Sequence, residues 1–253
     1  MPDYVVVASP TSHHLEHCVA VVDAGFTGAL LIEKPVFANT AANLPEFRSD
    51  VFVGYNLRYL AVIRHLREVT EGQHIVSAAF HNGEYLPEWR PGWDYCTTSS
   101  AKRALGGGVL RDLSHEVDFV HHLLGAPHSL VARVDRLGDL QIDTEDSVQM
   151  IGEHSTGCVS TLSLSYLERT RRREIILTTQ DSTIHADLLT GIVTDGVRET
   201  VFRTDRDETF REMHREILDR RMTIACTLQE GLAVLRTIEM IEQSSTERSW
   251  VNR

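Results

Sequence analysis

The sequence predicts two fold classes in series. A short α/β unit, part of a doubly wound parallel sheet, occupies residues 1–56, and an α+β domain with an open, mainly antiparallel sheet follows over 57–253. Three observations carry this. The first 55 residues alternate short apolar runs with helical stretches, at a spacing that calls for parallel strands joined by right-handed crossovers. The stretch from Ser129 to about Arg203 breaks into short apolar segments between turn signals, Ser155-Thr156-Gly157 and Thr190-Gly191 the clearest. Periodic helices stand before and after it.

In order along the chain, Tyr4 to Ala8 reads as a buried strand. Ser12 is placed to cap a helix whose apolar positions are Leu15, Cys18, Val19 and Val22, stopped by Gly25. Ala29 to Ile32 is a second strand, ended by Pro35. Thr40 to Arg48 reads as a weak helix, and Val51 to Tyr55 as a third strand. Leu60 to Thr70 is helical and Ile75 to Tyr85 extended, whereas Leu86 to Leu105 shows no period. Gly106-Gly107-Gly108 then opens one helix with the stripe Leu110, Leu113, Val117, Val120 and Leu124. Six strands are expected between Leu130 and Arg203, followed by helices over about Glu208–Arg221 and Leu228–Gln243.

Composition narrows the function classes. Lys+Arg 25 against Asp+Glu 36 gives a net charge of −11, which argues against non-specific nucleic-acid binding. No apolar run is long enough for a membrane helix, and no signal peptide is visible. Cys18, Cys96, Cys158 and Cys226 are scattered, as reduced thiols in a cytoplasm would be. No membrane or nucleic-acid partner is expected.

Several residues can carry chemistry. Glu33-Lys34-Pro35 follows the second strand, at the sheet end where open α/β folds bind ligands; a charged strand end is the plain alternative. Ser9-Pro10-Thr11-Ser12-His13-His14 holds the equivalent place after the first strand, where hydroxyls and free N–H groups suit a phosphate or ribose, or simply cap a helix. His13, His17 and Cys18 sit together, but no third metal ligand is evident and no metal is expected. Asp112, His115 and Glu116 fall on one flank of a continuous helix, a carboxylate beside an imidazole suited to proton transfer; a local hydrogen-bonded pair is the alternative. Asp118 falls on the far side, solvated or structural. Tyr85, Trp89, Trp93 and Tyr95 either line a site for an amphipathic ligand such as a sugar or fold down as a satellite core. Arg169 to Arg173 is a basic run, a solvated strand edge or a contact for an anionic substrate group.

These segments in this order resemble the Gfo/Idh/MocA family of NAD(P)-dependent oxidoreductases. The resemblance runs from Pro2-Asp3-Tyr4-Val5-Val6-Val7-Ala8-Ser9-Pro10-Thr11 through Glu33-Lys34-Pro35, Val53-Gly54-Tyr55-Asn56-Leu57-Arg58 and Gly106-Gly107-Gly108-Val109-Leu110-Arg111-Asp112 to Trp250-Val251. It implies a Rossmann-type nucleotide-binding part and a substrate-binding and oligomerisation part. It implies hydride transfer between a nicotinamide, NAD or NADP, and a hydroxyl-bearing carbon of a sugar-like substrate, in a homo-oligomer. Lys34 matches the family's catalytic lysine and Asp112 its helix aspartate. Ser9, Pro10, Thr11, His14, Glu33 and Lys34 are implied at the cofactor. Arg58 is implied at the substrate, where the residues' own chemistry also puts Tyr85, Trp89, Trp93 and Tyr95. The family's histidine stands four residues after that aspartate, where this chain has Glu116; His115 is one residue early. The acid/base role therefore lies between His115 and Glu116.

The sequence also departs from the family by having no G-x-G-x-x-G turn. Met1 falls where the middle of such a domain would stand, with roughly two βαβ units, about 30 residues each, expected to be absent. The expectations are weak cofactor binding by this chain, an exposed parallel edge at Tyr4 to Ala8, and, as the rival to an enzyme, a non-catalytic binding or assembly protein.

Overall fold

The computed structural model describes residues 2–40, 43–205, 207–221 and 223–253. The chain runs β1 (Tyr4–Val7), α1 (His14–Asp23), β2 (Ala29–Ile32), β3 (Val51–Val53), α2 (Ala61–Thr70) and β4 (Ile75–Gly83). Then come α3 (Val109–Asp112), α4 (Ser114–Leu124), β5 (Ser129–Asp135), β6 (Ser147–Glu153), β7 (Val159–Ser165), β8 (Arg172–Thr179) and β9 (Thr183–Asp187). It closes with β10 (Ile192–Thr194), β11 (Glu199–Val201), α5 (Glu208–Asp219), β12 (Cys226–Thr227), α6 (Leu228–Glu247) and β13 (Val251–Asn252).

The first sheet has the order β1-β2-β3-β12, with β1, β2 and β3 parallel and β12 antiparallel to β3. Alternation decides its faces. Leu30, Ile32 and Val53 enter the main core, while Ala29, Leu31 and Phe52 meet Met213 and Ile217 of α5. β1 is the outer strand, as the sequence suggests, and Val6 on it is 42% exposed.

The second sheet has nine strands in the order β11-β10-β9-β8-β4-β7-β6-β5-β13. It is antiparallel except for β4 and β7, which run parallel at its centre. That pair brings Asn82 and Gly83 beside Leu164 and Ser165, with Tyr166 next along the chain.

Four readings of local structure are corrected. The helix expected over Thr40 to Arg48 is absent among residues 43–48, where Pro45 removes a donor and fixes φ; Ala41 and Ala42 lie outside the described residues. Ser12 makes no capping bond, because a 3-10 turn over Thr11–His13 precedes α1. The helix after the glycines is two pieces, broken at Leu113 (φ −96°, ψ 26°), so Asp112 and His115 do not share one helical flank. The strand placed over Val197 to Arg203 is shorter, and β10 precedes it.

The three glycines answer to packing. A Cβ on Gly107 would stand 1.9 Å from the Ser99 carbonyl oxygen. Gly108 has φ of 117°, and a Cβ there would stand 2.1 Å from the Glu145 carboxylate. Glu145 in turn accepts from the Leu110 N–H at 3.2 Å and steadies the start of α3.

Candidate active site

β2 ends at Ile32, and Lys34 stands two residues beyond it, at the carboxyl end of the strand. Its Nζ donates to the Asp112 main-chain carbonyl at 2.6 Å. That carbonyl is free to accept because the helix breaks at Leu113. The Asp112 carboxylate faces elsewhere and accepts from the Tyr166 hydroxyl at 2.6 Å. Tyr166 is fully buried, and burial together with Asp112 pushes its phenol well above the ordinary range. Burial lowers the Lys34 ammonium below the ordinary lysine value, Asp112, Glu33 and Glu116 partly offset it, and Arg173 adds to the lowering.

His115, on the first turn of α4, packs edge-on against Tyr55, ring centroids 5.6 Å apart at 81°. Its Nδ1 is buried without a hydrogen-bond partner among the described residues. Burial, then the charges of Lys34 and Arg173, hold the imidazole well below the ordinary histidine range, so it is neutral near pH 7. Glu116 is placed differently. Its Oε1 accepts from Asn82 Nδ2 at 3.0 Å and from Arg173 Nε at 2.6 Å, while Oε2 is buried without a partner. An imidazole with a free nitrogen can move a proton; a carboxylate locked to a guanidinium is less able to.

The cofactor-side residues divide. Ser9, Pro10 and Thr11 form the loop after β1, and Thr11 abuts Gly106, where an added Cβ would stand 3.0 Å from it. Glu33 lies along Gly54, where an added Cβ would stand 2.9 Å from its Oε2. His14 is corrected. It is fully buried, with Nε2 2.9 Å from the Ser9 carbonyl and Nδ1 3.2 and 3.1 Å from those of Pro35 and Val36. It ties the two strand-end loops together and presents nothing to a ligand.

Arg58 is corrected as well. It is 2% exposed and donates to Asp118 at 2.6–3.1 Å and to Glu230 at 3.2 Å, so no donor is left for a substrate. Asp118 is fully buried as its partner, the structural alternative rather than the solvated one. The aromatics largely pack on one another and on the core. Trp89 meets Tyr166 edge-on at 5.1 Å, Tyr85 lies under Arg169, the Tyr95 hydroxyl accepts from the Gln141 N–H at 3.2 Å, and Trp93 stands 69% exposed. The void among Trp89, Trp93 and Tyr95 is about 10 Å³, room for about one water. Among the described residues no three His, Cys, Asp or Glu side chains converge on a metal position, and no helix is long and apolar enough to cross a membrane.

Arg173, the last residue of the basic run, joins the site, and Tyr166, Tyr55 and Asn82 complete it. Of these last three, Tyr166 had a usable signal, as the third residue in the buried alternation Leu162, Leu164, Tyr166.

Residues 63–185 match the family model for the GFO/IDH/MocA C-terminal domain. Over these residues the chain is similar to the C-terminal domain of the Gfo/Idh/MocA family. Solved structures share its fold over nearly its whole length. GenD2 from gentamicin A biosynthesis, in complex with NAD, is 21% identical with a TM-score of 0.80, covering 99% of this chain and 78% of that one. The WlbA dehydrogenase from Bordetella pertussis, in complex with NADH and UDP-GlcNAcA, is 18% identical with a TM-score of 0.80, covering 100% and 79%. Levoglucosan dehydrogenase, in complex with NADH and levoglucosan, is 16% identical with a TM-score of 0.82, covering 98% and 80%. No curated protein matches the chain.

Proposed function

We propose that the protein is an NAD(P)-dependent oxidoreductase acting at a hydroxyl-bearing carbon of a sugar-like substrate, and that it works in the cytoplasm as a homo-oligomer. Residues 1–56 would serve the nucleotide and 57–253 the substrate and assembly. The observation that carries the reading is Lys34 fixed at the carboxyl end of β2 by the Asp112 carbonyl, with a neutral, half-buried His115 in its field. The similar structures solved with NAD or NADH support it.

The Ser9–Thr11 loop and Lys34 would hold the nicotinamide end of the cofactor, which when bound would supply the electron pair exchanged with the substrate carbon. Lys34 stabilises negative charge on the reacting oxygen. His115 takes or returns the hydroxyl proton through a ring nitrogen. Tyr166 fixes the Asp112 side chain and so the carbonyl that aims Lys34. Glu116 holds Arg173 in place. The unpartnered His115 Nδ1 and Glu116 Oε2 are the kind of buried atoms that polyol hydroxyls would satisfy.

Lys34→Ala tests the reading. Turnover of sugar substrates should fall about 10²–10³-fold with the fold retained; unchanged turnover would leave Lys34 a decorated strand end. The 253-residue chain holds no G-x-G-x-x-G, so NADH and NADPH should bind it weakly in calorimetric titration. A dissociation constant of about 1 μM or tighter, about −8 kcal/mol, would contradict that.

The large sheet supports assembly. Val131, Ile151, Thr161, Ala79 and Ile176 stand in one cross-strand row on the face opposite the helices, and Ile151 is 44% exposed. Light scattering at micromolar concentration should show an oligomer; a monomer would count against it.

A further inference from the structure

The structure sorts the basic run between β7 and β8. Arg171 Nε pairs with Glu84 at 3.0 Å, Arg172 with Glu168 at 3.0 Å, and Arg173 with Glu116 at 2.6 Å. Arg169 has no hydrogen bond or ion pair among the described residues. Its guanidinium carbon lies 3.5 Å above the centre of the Tyr85 ring, and the side chain is exposed. Stacking holds a planar guanidinium flat on the ring and leaves its N–H edges free.

The nearby carboxylates are already taken, Glu84 by Arg171 and Glu168 by Arg172. Trp89, one turn beyond Tyr85, has a buried Nε1 without a partner among the described residues. Both lie at the catalytic end of the large sheet. Glu84 and Leu86, either side of Tyr85, donate their N–H groups to the carbonyls of Ser165 and Tyr166, at 3.0 Å each. Tyr166 reaches Asp112, which holds Lys34. An exposed charged fork at this end of the sheet without an acceptor calls for an anion.

We infer that Arg169, stacked on Tyr85, binds a carboxylate or phosphate carried by the substrate at a distance from its reacting carbon. This rests on the oxidoreductase reading and sets the substrate class as anionic sugars. Arg171, though adjacent in sequence, has no part in it, because Glu84 occupies its fork.

Direct binding separates the possibilities. Glucuronate, glucose phosphate and glucose are titrated by calorimetry into the wild-type chain, Arg169→Met and Arg171→Met. One or both anionic sugars should bind the wild type about 10–100-fold more tightly than glucose, as a charged hydrogen-bonded pair provides. Whichever shows the advantage identifies carboxylate or phosphate. Arg169→Met should abolish that advantage without altering glucose binding, and Arg171→Met should retain it. Equal binding of all three sugars, or an advantage that survives Arg169→Met, overturns the inference and leaves the oxidoreductase reading standing. Failure of every sugar to bind overturns both.

Discussion

Two carboxylates two residues apart on α4 each hold an arginine, and the two pairs serve different ends. Asp118 takes Arg58 where both side chains are sealed, 0% and 2% exposed, and Glu230 closes the remaining side. Glu116 takes Arg173 with the guanidinium 15% exposed, keeps one oxygen unpartnered, and faces Lys34. The chemistry of the pair is the same. What differs is whether every polar atom has been consumed. A saturated pair ties elements together, here the Asn56–Tyr59 turn, α4 and the start of α6; an unsaturated one has capacity left for a ligand.

Breaking the sealed pair should have the largest effect. Asp118→Ala leaves the Arg58 charge buried with one partial partner, and should cost about 3–5 kcal/mol in denaturant unfolding. A loss under about 1 kcal/mol would show that water reaches Arg58 and erase the contrast. His115→Ala should leave stability nearly intact and lower turnover about 10²–10⁴-fold, with a flattened pH–rate profile. If Glu116→Gln gives that signature instead, the proton roles are exchanged. As expected here, Glu116→Gln should cost about 1–3 kcal/mol of stability and about tenfold in rate, because Gln still accepts from Arg173 but no longer neutralises it.

The smallest effect concerns acid. His115 and His121 are both held below their ordinary value, His121 down to about 3, burial being the first cause in each. Below about pH 6.5 the unfolded chain takes up protons that the folded chain refuses, so stability falls as pH drops through that window and on toward the folded values. His121→Gln, which can still meet Thr237 Oγ1, should flatten the fall in a pH series of unfolding curves. An unchanged slope would place the acid sensitivity elsewhere.

Sequence reading recovered the elements whose cause is local. The parallel strands, α2, β4 to β9 and the last two helices follow from periodicity and stop signals. Thr40 to Arg48 misled because its weak apolar spacing ignored Pro45. The site was half legible. Lys34, Asp112 and His115 stood out by their position beside strand ends and glycines, yet their arrangement depends on the break at Leu113 and on partners 54 to 78 residues away. Arg58 and His14 misled for the opposite reason, since a motif shows which residue is present but not that its donors are already spent. Asp118 was put on the correct side of α4, but that side is buried too.

The last helix ties the two sheets together. Thr227 and Glu230 form a reciprocal cap at the start of α6, directly after β12 joins the first sheet. At the other end, Ser244 and Ser245 accept from the Ala132 and Val134 N–H groups on the edge of β5. A 20-residue helix, about 30 Å long, is thus anchored to a different sheet at each end. Neither sheet can swing without pulling on the other, so the amides of Val234, Leu235, Ile238 and Ile241 should exchange with deuterated solvent only when the whole molecule unfolds, as one cooperative unit spanning both halves of the chain.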